Sequence, residues 1–315
     1  MKTKIFIDGS EGTTGLRINE RFMNRDDIEL ITIDPDLRKD LTERKKKINE
    51  SDITFLCLPD AAARESVQLV ENDHVRIIDS STAHRTENGW AYGFPELSEE
   101  HRKKIKEGRF VAVPGCHATG FLSLVYPLTA GDLMPSDYPV SSFSLTGYSG
   151  GGKKMIGEYE DANRHADFSA PREYALTGQH KHLKEMKKIS GLDREPLFSP
   201  IVADYYSGML VTVPLYTHLL KGKHTPESVH AYLSEYYSNQ SLVHVMPFGA
   251  ESETEGFLSG NHLTGYDGLN IYVTGNEERI LLSSQFDNLG KGASGAAIQC
   301  LNIMLGCEDG KGLSV

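Results

Sequence analysis

Short apolar stretches alternate with segments of helical spacing over the first third of the chain. Residues 4–8 (Lys-Ile-Phe-Ile-Asp) read as a buried strand, and 16–23 carry apolar residues at helical intervals. Further strands are expected at 28–33, 53–58, 75–78 and 109–113, with helices at 61–70 and 98–107. Strands alternating with helices argue for a parallel sheet covered on both faces. In this stretch the basic run 44–47 reads as a solvated charged loop, and Cys57, in mid-strand, as packing.

After residue 116 the rhythm changes. Longer strands are expected at 141–145, 209–215 and 279–285, joined by Gly-rich and polar connections. Residues 148–154 (Tyr-Ser-Gly-Gly-Gly-Lys-Lys) suit either a flexible active-site loop or a linker. Leu183, Met186 and Ile189 form a stripe that opens a helix, and a glycine-rich loop at 287–295 leads into a last helix over 296–305. That loop and helix suggest a return to the first domain. The expected division is 1–115 with 286–315, and 116–285.

At 315 residues, two domains can each bury a core. The net charge of −11 is scattered, with no Lys/Arg cluster interleaved with aromatics, which argues against nucleic acid and anionic membranes as partners. Apolar runs such as 209–214 are too short to span a bilayer. Cys57, Cys116, Cys300 and Cys307 form no C-x-x-C pair, a reduced-compartment usage that makes the cytoplasm the default.

Three stretches carry chemistry. Gly9-Ser10-Glu11-Gly12-Thr13-Thr14-Gly15 sits between a strand and a helix, where glycines admit a pyrophosphate and the helix mouth supplies N–H donors. Asp34 past the second strand suits a free ribose hydroxyl, and Arg38 and Lys39 suit a 2′-phosphate, so NAD and NADP both remain open. In 111–120, Pro114-Gly115 ends an apolar run and puts Cys116 at the foot of a helix, where thiolate is favoured. Arg85 follows a hydroxyl-rich turn past another strand and could fork onto a phosphate or carboxylate. His180 and His182 precede a helix, a position that favours the neutral imidazole a general base needs. No further ligand at metal spacing accompanies them, so no metal is expected.

Taken together, I-D-G-x-x-G-T-T-G, L-C-L-P-D at 56–60, P-G-C-x-A-T-G at 114–120, H-x-H-L-x-E-M at 180–186 and D-N-L-G-K-G-A-S-G at 287–295 resemble the N-acetyl-γ-glutamyl-phosphate reductases. The likeness covers essentially the whole chain and is nearest the shorter, second type. It implies an α/β fold: a Rossmann dinucleotide-binding domain with a central α+β domain for substrate and oligomerisation. It implies NADP as cofactor, an acyl phosphate substrate with phosphate as co-product, and a homo-oligomer, dimer or tetramer. Residue by residue, Cys116 matches the family's nucleophile and His182 its acid–base. His180 and Tyr174 match residues lining the same site, and Arg85, with Lys153, would meet the substrate phosphate. Asn288, Gly290 and Gly292 match the loop touching the nicotinamide half. Position 117 is His where the family often has Tyr, and 184 is Lys where Pro is common. Two other functions share this scaffold: an aspartate-semialdehyde dehydrogenase, and a non-catalytic NADP-binding regulator.

Overall fold

The computed structural model describes residues 2–23 and 25–315. The chain divides into two compact units, Met1–Pro114 with Ala293–Leu313, and Gly115–Gly292 with Ser314–Val315. The second division falls after Gly292 rather than near 285, so the 287–292 turn belongs to unit 2.

Unit 1 runs β1 (Thr3–Asp8), α1 (Thr13–Phe22), β2 (Ile28–Ile31), α2 (Leu41–Glu50), β3 (Ile53–Leu56), α3 (Asp60–Gln68), β4 (Arg76–Asp79), β5 (Ala91–Tyr92), α4 (Glu99–Glu107) and β6 (Phe110–Ala112). Its described residues form one six-stranded sheet, ordered β2-β1-β3-β4-β6-β5, in which every pairing is parallel. Fully buried Ile5, Phe6, Ile53, Phe55, Ile77 and Ile78 explain the unbroken apolar runs, since such a sheet is covered on both faces. One core holds Ile5, Ile7, Phe55 and Ile78 together with Ala297, Ile298 and Leu301 of the Gly295–Leu305 helix.

Residues 44–47 correct the loop reading, for they lie within α2. Asp40 caps that helix by accepting the N–H groups of Thr42 and Glu43. Arg44 turns inward, four residues from fully buried Ile48 and on the same face. Its guanidinium donates to the Asp8 carboxylate (3.0 Å), Glu65 (2.8 Å) and Ser66 Oγ (2.6 Å). A run of like charges hides such a residue, because the partners come from β1 and α3.

Unit 2 runs α5 (Cys116–Ala130), β7 (Ser141–Gly147), α6 (Gly152–Glu160), β8 (Arg172–Glu173), α7 (Leu183–Ser190), β9 (Leu197–Ala203), β10 (Met209–Tyr216), α8 (Pro226–Tyr236), β11 (Val243–Val245), β12 (Leu269–Gly275) and β13 (Arg279–Phe286). Its described residues build a seven-stranded mixed sheet ordered β11-β12-β13-β10-β7-β9-β8. The stretch 148–154 is a short helical turn leading into α6, neither loop nor linker. Period-two alternation is strict in β10, where Met209, Val211, Val213 and Leu215 are buried and the residues between them are not. Helix α5 is apolar nearly all round and lies against that buried face. A Cβ on Gly120 would come 2.4 Å from Val211 Cγ2, so only glycine allows so close an approach.

Candidate active site

In unit 2 the nucleophile candidate begins a helix. Cys116 is the first residue of α5, partly exposed, and Gly115 caps the helix with no side chain to satisfy the first-turn N–H groups. A thiolate there meets the positive end of the helix dipole. Gly292 closes on the same residue, since a Cβ added to it would lie 3.0 Å from Cys116 Cβ.

Helix α7 meets this mouth from the other side. His182 is its N-cap residue and is buried. One turn on, buried Glu185 accepts the Gly115 N–H through Oε2 at 3.2 Å, tying the start of α7 to the start of α5. His180 accepts the His182 backbone N–H through Nδ1 (3.2 Å), and the two rings stand edge to face at 4.6 Å. His117 fills the space between: its ring lies 5.4 Å from His180, 5.6 Å from His182 and 5.3 Å from Phe198. Its Nδ1 is 2.6 Å from Ser144 Oγ and its Nε2 2.6 Å from the Tyr174 hydroxyl. Burial, helped by the nearby positive charges of His180 and Lys181, pushes His117 down to about 3, so its imidazole is neutral at pH 7. Burial, and then the charge of Cys116, raise the Tyr174 phenol well above its ordinary value, so it keeps its proton.

Cys116, Tyr174, His180 and His182 are thus gathered in one cluster. Three members escaped the sequence reading: His117, Glu185 and Ser144. Glu185 had a signal, three residues after His182 and hence on its face of a helix. Ser144 had none, because only the register of β7 turns it toward α5. Lys153 stands exposed on α6. Asn288 works as a tie, accepting the Gly208 N–H (2.8 Å) and donating to Ser149 Oγ (3.0 Å). Gly290 leaves room for a close pass, for a Cβ there would sit 2.3 Å from the Tyr266 carbonyl oxygen.

In unit 1 a cavity of about 460 Å³ opens at the carboxyl ends of the strands, where parallel sheets bind ligands. Gly9, Ser10, Glu11, Gly12, Arg38 and Lys39 line it, as do Arg44 and Cys57. Thr13, Thr14 and Gly15 form the adjoining first turn of α1, whose cap, Gly12, leaves its N–H groups without a side-chain partner. Two of the glycines serve the fold itself. Gly9 has φ +90° and would drive a Cβ to 2.4 Å from the Cys57 carbonyl oxygen, and a Cβ on Gly15 would meet the Gly9 oxygen at 2.5 Å. Gly12 differs, with nothing nearer than 3.5 Å, so its bareness suits an approaching ligand rather than neighbouring protein. The arrangement fits a dinucleotide: a cavity, a bare backbone turn and a helix mouth. Cys57 lies one residue past β3 rather than in mid-strand, and burial above all pushes its thiol up to about 12. Arg85 donates from Nε to the Val113 oxygen (2.8 Å) and from Nη2 to the Ser80 oxygen (3.1 Å), bracing the strand end three residues before Cys116. Asp79, fully buried, holds that turn by accepting from the Ser81 N–H and hydroxyl and lying 2.6 Å from His84 Nδ1.

Among the described residues no group of three or more His, Cys, Asp or Glu is placed to hold a metal ion, and no helix is long and apolar enough to cross a membrane.

A parallel dinucleotide-type domain joined to a mixed-sheet domain with a cysteine at a helix mouth defines an oxidoreductase class, and comparison identifies it. Residues 5–105 match the semialdehyde dehydrogenase NAD binding domain and 116–288 the semialdehyde dehydrogenase dimerisation domain. The chain belongs to the semialdehyde dehydrogenase family, its unit 1 binds a nicotinamide dinucleotide, and its unit 2 is of the kind through which the family associates. It is 46% identical to N-acetyl-gamma-glutamyl-phosphate reductase 2 of Nostoc sp., over 99% of both chains. It is equally similar to the N-acetyl-gamma-glutamyl-phosphate reductase of Brucella ovis, over 97% of this chain and all of that one. In fold it is similar to aspartate semialdehyde dehydrogenase II of Vibrio cholerae complexed with ASA (TM-score 0.71, 14% identity, covering 97% and 98% of the two chains). It is also similar to the Candida albicans aspartate semialdehyde dehydrogenase with NADP (TM-score 0.65, 15% identity, 97% and 99%).

Proposed function

We propose that the chain reduces N-acetyl-γ-glutamyl phosphate to N-acetylglutamate semialdehyde, with release of phosphate, through a thioester on Cys116. The observation that carries this reading is Cys116 at the bare mouth of α5, with His182 and Glu185 of α7 packed against the same mouth. The Cys116 thiolate attacks the acyl carbon and phosphate leaves, giving the thioester. A bound nicotinamide dinucleotide supplies the hydride. First-turn N–H groups of α5 are placed to steady the oxyanion at Cys116. His182 protonates the thiohemiacetal oxygen and takes that proton back as the aldehyde departs and the thiolate returns. Arg85 and Lys153 are assigned to the phosphate.

NADP is the preferred cofactor in this reading. Arg38 and Lys39 stand in the cavity wall, whereas the Asp34 carboxylate accepts the Asp36 N–H in its own turn and is absent from that wall. The assembly is a dimer formed by the sheet face of unit 2 that carries exposed Phe143, Leu197, Tyr216 and Leu281. The deciding assay is phosphate-dependent NADP reduction with N-acetylglutamate semialdehyde, run beside aspartate semialdehyde. Turnover of the acylated substrate alone is expected, and preference for the free-amino substrate would sink the assignment. Sedimentation should give a dimer that Phe143→Glu splits.

A further inference from the structure

In unit 2 the reaction above leaves one buried imidazole unused, and it is the residue next to the nucleophile. His117 is bonded through both ring nitrogens, to Ser144 Oγ and to the Tyr174 hydroxyl, each at 2.6 Å. A neutral imidazole has one N–H and one lone pair, so the chain of bonds must run in a single direction. In one direction Tyr174 donates to Nε2 and Nδ1–H donates to Ser144, whose own hydroxyl proton then needs an acceptor. In the other, Ser144 donates to Nδ1, Nε2–H donates to the Tyr174 oxygen, and the phenol proton is left over.

Burial decides between them. Ser144 is 0% exposed, and His117 is the one hydrogen-bond partner of its hydroxyl among the described residues. A buried donor with no acceptor is costly, whereas a proton facing the site is met by water or substrate. Tyr174 is only partly buried, and the charge of Cys116 reaches its phenol. Ser144 therefore donates inward and Tyr174 outward.

We propose that Ser144 and His117 are positioning residues that turn the Tyr174 hydroxyl proton toward Cys116, where it donates to the negative charge carried by the sulfur and then by the acyl oxygen. No proton changes owner in this step; the phenol is a fixed donor. The proposal rests on Cys116 being the nucleophile, but the direction of the bonds can be read without turnover. In the wild-type protein labelled with ¹⁵N-histidine, long-range ¹H–¹⁵N spectra at pH 7 should show His117 protonated on Nε2 and bare on Nδ1. The signals are assigned by their loss in His117→Phe or, independently, by their displacement in Ser144→Ala. A proton on Nδ1, or an imidazolium, overturns the proposal whatever the enzyme's activity.

The kinetic arm separates positioning from packing. Tyr174→Phe and His117→Phe should each lower kcat about tenfold, the scale of one hydrogen bond to a charged group, with little change in KM. The double variant should be no slower than the slower single one. Losses that multiply to about a hundredfold would mean that His117 acts apart from Tyr174, and the relay would be wrong. A protein inactive on the acyl phosphate but carrying Nε2–H would sink the assigned reaction and leave the relay standing.

Discussion

The two units build their sites by opposite means. In unit 1 the cradle is nearly contiguous: Gly9 to Gly12 and the first turn of α1 supply the bare backbone and the helix mouth. In unit 2 a single residue, Cys116, is given by local sequence, and its company arrives from Ser144, Tyr174, His180, His182, Glu185 and Gly292. A site made of backbone is coded by glycines in a row. A site made of side chains is coded by whatever brings strands and helices into register. Substitutions in unit 1 should therefore separate cleanly into fold and ligand effects, and those in unit 2 should act on chemistry first.

The largest effect expected is that of Cys116→Ser. Turnover should fall at least about a thousandfold while dinucleotide binding, measured by fluorescence or calorimetry, stays unchanged. Weakened binding of comparable size would blur the division of labour between the units. His182→Asn comes next, with kcat down roughly a hundredfold or more if the imidazole moves the proton, and with the melting temperature nearly preserved. In unit 1 the contrast lies between two glycines six residues or fewer from β1. Gly9→Ala forces a β-carbon against the Cys57 carbonyl at positive φ and should lower stability by about 2 kcal/mol. Gly12→Ala meets only ordinary contacts, so it should melt like the parent yet lose roughly tenfold in dinucleotide affinity. Equal stability losses in the two variants would show that both glycines serve packing alone.

How much of this was legible follows from the same difference. The parallel sheet announced itself through unbroken apolar strands, whereas unit 2 showed only as longer strands, because the alternation of β10 is one of burial and lies hidden in a run that is apolar but for Thr212. Arg44 was misread because a helix face is a spatial fact: its partners Asp8, Glu65 and Ser66 lie on elements the charge run does not touch. The glycine-rich loop at 287–295 reads as a return to the first domain, but Asp287 organises its first part, 287–292, within unit 2. Its carbonyl accepts the Gly290 and Gly292 N–H groups, and its carboxylate those of Leu289 and Gly265. Glycine there buys closeness to protein, as at Gly290, and composition alone does not distinguish that from closeness to a ligand. His117 was visible only as a departure from a pattern; its two bonds depend on β7 and on the segment after β8.

The smallest effect expected is also a comparison of the units, made by acid. His117 in unit 2 sits at about 3 in the folded chain, against an ordinary value of 6.5, chiefly through burial. Between those values the unfolded chain binds a proton that the folded chain refuses. Stability from this residue is therefore complete above 6.5 and is lost as pH falls toward 3. Going from pH 6 to pH 5 should cost about 1 kcal/mol through His117, a loss read as a drop in the urea midpoint. In unit 1, Asp27 is lowered as well, but through its charged form: its hydrogen bond with Arg25 holds the carboxyl far below its ordinary 3.8. Its contribution is whole above 3.8 and is lost only in stronger acid. His101 of unit 1 is lowered by burial and so adds to the upper window, which is why the variant and not the parent decides the matter. His117→Phe should start less stable, since Ser144 and Tyr174 lose their partner, but its stability should fall by about 1 kcal/mol less between pH 6 and pH 5. An unchanged slope would mean that the imidazole is already charged in the folded protein, and a charged ring cannot hold the one-way chain of bonds on which the orientation of Tyr174 depends.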